Sequence, residues 1–260
     1  MTPAAKPQGS IGRAWDGTVA RMTLARPPLN IMTIPMMEEL NDALDEAAGR
    51  PGLKCVLLEA QGKAFSAGVD VEDHMGDRIK PMLEAFHGIF RRLHALDCPT
   101  VAAVQGAALG GGAELATFCD LVVASESATL GQPEIKVGVF PPIAALHYPV
   151  RVGQQRALQL LLSGQVISAA EALRIGLVDR VAPPDKLAET VEAEIARFTA
   201  QSAAVLRLTK RAVRDAAGTP FEIALSRLED LYQHELMATE DAHEGLKAFA
   251  EKRPPVWVNR

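Results

Sequence analysis

Only three cysteines occur in the 260 residues, Cys55, Cys98 and Cys119, far apart and without a Cys-x-x-Cys pair. That spacing argues against a zinc site or a disulfide framework and fits a reducing compartment. Long apolar runs are missing as well, since no uninterrupted stretch approaches the roughly 20 residues that span a bilayer. The first ten residues, MTPAAKPQGS, lack a charged-then-apolar leader pattern and read as a disordered tail over 1–10. An excess of positive charge is also absent: 27 Lys and Arg against 32 Asp and Glu leave a formal charge of −5. These absences describe a cytoplasmic protein with neither nucleic acid nor membrane as partner, and leave open a local basic patch for a phosphorylated ligand. What is there, 48% apolar residues, is enough to bury a sizeable core, as one large domain or as one domain with a helical appendage.

Asp16-Gly17 between two β-prone runs within Ile11 to Ala25 predicts a hairpin. Thr33 and Pro35 then start a helix with Met36, Met37, Leu40, Ala43, Leu44 and Ala47 on one stripe and Asn41, Asp42, Asp45 and Glu46 on its wet face. CVLLEA at Cys55 to Ala60 reads as a strand buried on both faces, and a second amphipathic helix spans about Ile79 to Leu96. Its histidines, His87 and His94, are expected to be solvated or packing residues. TVAAV after Pro99, Leu121 to Ala124 and a short piece near Thr129 to Gln132 complete an alternation of strands and helices with right-handed crossovers. Beyond about Ala157 strands nearly stop, apart from Val178 to Val181. Ser168 to Glu171 reads as a capping box, and helices are expected at Asp185 to Thr199, Ser202 to Ala216, Pro220 to Met237 and Thr239 to Lys252. Leu225, Leu228, Leu231, Tyr232 and Leu236 give the third of these a face wide enough for an oligomer interface, or for folding back on its own core.

The chain is organised around Gln105 to Asp120, QGAALGGGAELATFCD, where Gly110, Gly111 and Gly112 open into a helical pattern carrying Glu114. Glycines let backbone N–H groups approach a ligand, and a helix start suits an anion or a developing oxyanion. Taken alone, this stretch serves equally as a tightly packed turn with a capping glutamate. Two other pieces bear on the choice. Ala64 to Asp70, AFSAGVD, is a plausible second loop of N–H donors. Gly131-Gln132-Pro133-Glu134 offers another acid, beside Ile135, Val137, Val139 and Phe140, which acts as a general acid if buried and is an ordinary loop carboxylate if not.

FSAGVD, QGAALGGGAEL followed by CD, and GQPEIKVGVFP stand in the order and approximate spacing of the crotonase, or enoyl-CoA hydratase and isomerase, superfamily, which the chain resembles from ARPPLN to EGLKAFAEKRPPVW. The resemblance implies an α/β fold: a crotonase-type right-handed superhelix of repeated ββα units over 11–199, followed by a helical trimerisation region over 200–260, assembled as a homotrimer or a dimer of trimers. It implies an oxyanion hole from the N–H groups of Val69 and Gly111, with Glu114 and Glu134 as the catalytic carboxylates that flank a water. It further implies coenzyme A contacts at Ala67, Val69 and Asp70, and at Phe249 and Lys252 from a neighbouring subunit. The substrate would be an acyl-CoA thioester, with no metal or redox cofactor. The chain departs from the hydratase pattern at FPPIAALHYPVR, where Pro142, Ala144 and Ala145 replace usual glycines, so Phe140, Pro142 and His147 are candidates for a reshaped acyl pocket, His147 also being open to a surface or packing role. VEDHM and GQPEIKVGVFPP look like the branch that hydrates cyclic dienoyl-CoA esters such as cyclohexa-1,5-diene-1-carbonyl-CoA.

Rival readings are a double-bond isomerase of the same fold, a serine hydrolase using Ser66, one glycine short of a Gly-x-Ser-x-Gly elbow, and an acyl-CoA-binding subunit without catalysis. A dinucleotide site is disfavoured, since GAALGGGAE lacks the required glycine spacing.

Overall fold

The computed structural model describes residues 9–260. The tail expected over 1–10 therefore lies outside the described residues up to residue 8, but Ser10 is held, its N–H donating to Glu39 Oε2 at 2.7 Å. Strands β1 (Ile11–Asp16) and β2 (Val19–Leu24) form the predicted hairpin, with Gly17 at φ +56° in its turn. Helix α1 (Ile34–Ala48) follows, then β3 (Cys55–Ala60), α2 (Ile79–Ala95), β4 (Thr100–Val104), β5 (Ala107–Leu109), α3 (Gly111–Phe118), β6 (Leu121–Ser125) and β7 (Thr129–Gly131). The chain continues through α4 (Pro142–Val152), α5 (Gln154–Ser163), β8 (Val166–Ser168), α6 (Ala169–Ile175), β9 (Arg180–Ala182) and α7 (Leu187–Thr199). It closes with α8 (Ala203–Ala216), α9 (Phe221–Asp230), which runs on into a π turn over Leu231–Leu236, and α10 (Glu240–Ala250).

Two sheets result. The larger runs β1-β2-β3-β4-β6-β9, parallel except for the first hairpin, and the smaller runs β5-β7-β8. Successive strands β4 and β5, and again β6 and β7, go to different sheets, which is the two-strand part of a ββα repeat. Side chains alternate across the larger sheet as pleating requires. Val56, Leu58, Ala102, Val104, Val122 and Ala124 enter the main core. Their neighbours Cys55, Leu57, Val101, Ala103 and Val123 meet Val191 and Ile195 of α7 on the other face. This double burial is why β3 reads as an unbroken apolar run.

Several local expectations are corrected. Asn41 is buried on α1 rather than wet, because its amide donates to Ala85 O of α2 at 2.8 Å. Thr33 precedes α1 without capping it, and Asp73 accepts from the Ile34 N–H instead, at 3.0 Å. The last short strand, β9, starts two residues later and ends one residue later than the expected Val178 to Val181. Ser168 does cap α6, accepting from Glu171 N–H, but Glu171 pairs with Arg174 rather than closing a reciprocal box. Helices α4 and α5 and the three-residue strands β5 and β8 were not foreseen. Among the described residues, no helix is long and apolar enough to cross a membrane.

Candidate active site

The glycine run sits where three segments converge. Gly110 (φ +52°) lies before the first turn of α3, and a Cβ there would stand 2.5 Å from Glu134 Oε1. On Gly111, a Cβ would stand 2.9 Å from both Phe86 Cζ and Val69 Cγ2, and on Gly112 it would collide with the carbonyl oxygen of Ser66. The three positions thus make room for an acid, for the neighbouring loop and for backbone, a close approach that no larger residue permits.

That neighbouring loop is AFSAGVD. Asn30, fully buried, donates to Gln61 O and Ala64 O at 2.8 and 2.9 Å, while its own carbonyl accepts from Ser66 Oγ at 2.8 Å. Ser66 Oγ in turn accepts from the Gly68 N–H at 3.2 Å. Ser66 is therefore a buried strut, not an exposed nucleophile, which removes the serine-hydrolase reading. Gly68 adopts φ +110°, turning the following residue toward α3. Among the described residues, the N–H groups of Val69 and Gly111 meet no acceptor, and the two residues are in contact.

Glu114, in the first turn of α3, is only 3% exposed, and its Oε1 accepts from the Ala144 N–H at 2.7 Å. Ala144 belongs to the first turn of α4, whose start is fixed by Pro142, so one carboxylate receives a second helix N-terminus. Burial outweighs that donor. It lifts the Glu114 pKa to about 8, and the negative charge of Glu134 adds to the rise. Glu134 follows Pro133 in a short helical turn, half-buried, with its pKa also raised by burial and held back by its own backbone N–H and by His74. Buried Gln132 links it to the core: with its amide oxygen accepting from Tyr148 Oη at 2.8 Å, its nitrogen donates to both Glu134 oxygens at 3.2 Å.

Glu114, Glu134, Ala67, Gly68, Val69, Gly110 and Gly111 line one cavity of about 430 Å³, with Met82, Phe86, Phe140 and Pro142 among its apolar walls. The apolar neighbours of Glu134 are largely exposed, Val137 at 73% and Phe140 at 69%, and with Val139 they line the cavity together with side chains of α2 and α3. Of the three acyl-pocket candidates, Phe140 and Pro142 reach the cavity and His147 does not. Its Nε2 lies 2.8 Å from Thr117 O and its ring packs on Phe118, because α4 turns that position toward the back of α3. Asp70 does not line the cavity either; its Oδ1 accepts from the Glu72 N–H at 3.0 Å and shapes the next turn. Phe249, 86% exposed near the end of α10, and Lys252 also stand apart from the cavity of their own chain.

The sequence profile of the Enoyl-CoA hydratase/isomerase family matches residues 15–260. The chain belongs to that family. It is 43% identical over 247 residues to a cyclohexa-1,5-dienecarbonyl-CoA hydratase of Thauera aromatica, covering 94% of this chain and 95% of the relative. A probable enoyl-CoA hydratase of Mycobacterium tuberculosis is 38% identical over 251 residues, covering 94% and 96%. In three dimensions the chain is similar to an enoyl-CoA hydratase subunit of Geobacillus kaustophilus, with a TM-score of 0.90, 35% identity and 97% and 99% coverage. It is also similar to an enoyl-CoA hydratase of Mycobacterium smegmatis, with a TM-score of 0.92, 29% identity and 96% and 99% coverage. The mixed α/β architecture is that of the crotonase fold, and the family relatives named here are hydro-lyases.

Sequence reasoning missed Asn30 as the support of the Val69 loop, took Ala144 only as a replaced glycine and not as the donor to Glu114, and read His87 as solvated or packing although it lines the cavity. Pro141-Pro142 was a usable signal for the start of α4; Asn30 carried none, since its partners Gln61 and Ala64 lie across the fold.

Proposed function

We propose that this chain is an acyl-CoA hydratase that adds water across an α,β-unsaturated thioester, and that its substrate is a cyclic dienoyl-CoA like the one named for the Thauera relative. The observation that carries this reading is a pair of carboxylates and a pair of unpartnered N–H groups lining a single, mainly apolar cavity. As the water oxygen bonds to the β-carbon, the π pair moves onto the thioester oxygen, and the N–H groups of Val69 and Gly111 receive that charge. Water gives its proton to one carboxylate while the other supplies a proton to carbon. Two neighbouring acids that do not both ionise suit this division, and the pair is assigned jointly. Retention of both acids favours hydration over double-bond isomerisation.

Ala67 and Val69, which line the cavity, and Asp70, which lies outside it, contact the coenzyme A portion where it leaves the cavity; the coenzyme enters as part of the substrate, and no metal or redox cofactor takes part. Phe249 and Lys252 reach the nucleotide of a neighbouring copy in a homotrimer or dimer of trimers. The exposed apolar side chains Val213, Phe221, Leu225 and Tyr232 of the helical region support such an assembly.

The test is turnover of the purified protein with crotonyl-CoA and with cyclohexa-1,5-diene-1-carbonyl-CoA, with products identified by mass. Gain of one water, faster on the cyclic ester, is expected. Migration of a double bond or thioester cleavage without added water would overturn the hydratase reading.

A further inference from the structure

Helix α4 reaches toward both acids from a single turn. Its two buried residues are Ala144, whose N–H donates to Glu114 Oε1 at 2.7 Å, and Tyr148, four residues on along the same face, whose hydroxyl meets Gln132. Three acceptors surround one end of the Gln132 amide: the two oxygens of Glu134, each at 3.2 Å, and the carbonyl oxygen of Gly110 at 3.3 Å. Only the nitrogen end satisfies them, which leaves the amide oxygen to accept from Tyr148 Oη at 2.8 Å. Reversed, the amide would set its oxygen against the Glu134 carboxylate. The phenol hydrogen therefore decides which end of Gln132 faces the acid.

Tyr148 and Gln132 are each 1% exposed, so no solvent takes over either bond. Neither residue lines the cavity, and a molecule bound there meets Glu134 but not the two groups behind it. We propose that Tyr148 is a positioning residue: by fixing the Gln132 amide it holds the Glu134 carboxylate beside the glycine run, so that one turn of α4 sets where both acids stand. The inference rests on the reading that Glu134 is one of the two reacting acids.

The test uses Tyr148→Phe and Gln132→Met, alone and combined, in the full-length protein. Steady-state turnover of crotonyl-CoA and of the cyclic dienoyl ester is one readout. The other needs no turnover: an NMR titration of protein labelled with carbon-13 at its glutamate carboxyl carbons, the Glu134 signal being identified by its loss in Glu134→Gln. Tyr148→Phe keeps the ring and frees the amide, so kcat is expected to fall about 10-fold with KM nearly unchanged. The Glu134 midpoint should move up, because an N–H donor that favours the anion is lost while its charged neighbours Glu114 and His74 stay in place. Gln132→Met should match or exceed both effects, and the double variant should be no worse than Gln132→Met, since Tyr148 acts only through that amide. A tyrosine that merely packs α4 would leave the midpoint where it is and add its own loss in the double variant; either result overturns the inference. If Tyr148→Phe does not fold, Gln132→Met decides, and an unmoved midpoint there overturns it equally. A raised midpoint in a protein that adds water to neither ester sinks the hydratase reading alone; water addition with an unmoved midpoint sinks this inference alone.

Discussion

The floor and the roof of the cavity are both made of small and apolar residues, yet they are packed in opposite ways. On the floor, Gly111, Gly112, Glu114 and Ser66 are buried against one another so closely that an added methyl group meets backbone, ring or neighbouring loop. On the roof, Val137, Val139 and Phe140 leave the last turn before α4 with much of their surface exposed. A close-packed floor fixes N–H groups and a carboxylate to within a few tenths of an ångström, as transition-state stabilisation requires. A loose roof tolerates replacement. On the hydratase reading proposed above, the difference gives the chemistry to the floor and acyl selection to the roof.

The strongest way to break that comparison is to alter the acids themselves. Glu114→Gln and Glu134→Gln are each expected to lower kcat by about 10³-fold in steady-state assays while still binding CoA ester. Near-normal turnover by either variant would detach that acid from the chemistry. Gly110→Ala comes next: the new methyl group displaces Glu134 and the residue must still adopt φ +52°, so kcat should fall about 10²-fold with roughly 1–2 kcal/mol of lost stability in chemical denaturation.

Acidity sharpens the comparison further. Glu114 is held protonated up to about 8, whereas the unfolded chain releases that proton near 4.5. Between those values the native state binds more protons than the unfolded state, so its contribution to stability is whole below the window, falls as pH rises through it, and is gone above it. Glu114→Gln should flatten this decline and raise the melting temperature at pH 8 more than at pH 5. In the wild type, kcat/KM should drop on the alkaline side with an apparent pKa near that of the buried acid. An unchanged pH dependence of stability in Glu114→Gln would show that the carboxyl is not buried as a neutral acid.

The smallest effects belong to the strut and the roof. Ser66→Ala removes hydrogen bonds to Asn30 and Gly68 and should cost about 1–2 kcal/mol of stability while leaving kcat within a few-fold. Phe140→Ala should leave kcat on crotonyl-CoA within a few-fold and shift the preference between crotonyl-CoA and the cyclic ester several-fold. A loss of kcat on both esters as large as that of Gly110→Ala would place Phe140 with the floor instead.

Much of this was legible because it is local. Three glycines before an apolar helix, a Pro-Glu pair and an alternation of strand and helix patterns each depend on neighbours in the chain, and they led to α1, α2, α3, β3, β4, β6 and the two acids. The burial of Glu134 stayed open in the sequence because Ile135, Val137, Val139 and Phe140 look the same whether they bury an acid or border a cavity. Asn41 was misread because its partner, Ala85 O, lies on another helix. His147 was offered as a pocket residue because its place in α4, and hence its direction, depends on a helix that the run of prolines and alanines only hinted at.

By itself the sequence determined which backbone conformations were open to this chain: glycines at positive φ, prolines at helix starts, and the stripe that each strand or helix must bury. The tertiary structure alone decided which groups meet. Gly110, Gly111, Glu114 and Glu134 meet at one cavity, with Asn30, Ser66 and Ala144 bonded to the loop and the acid that line it, only when two sheets and their helices are stacked. Burial there, and not the carboxyl group as such, turns Glu114 from an ordinary acid into one that keeps its proton near neutral pH.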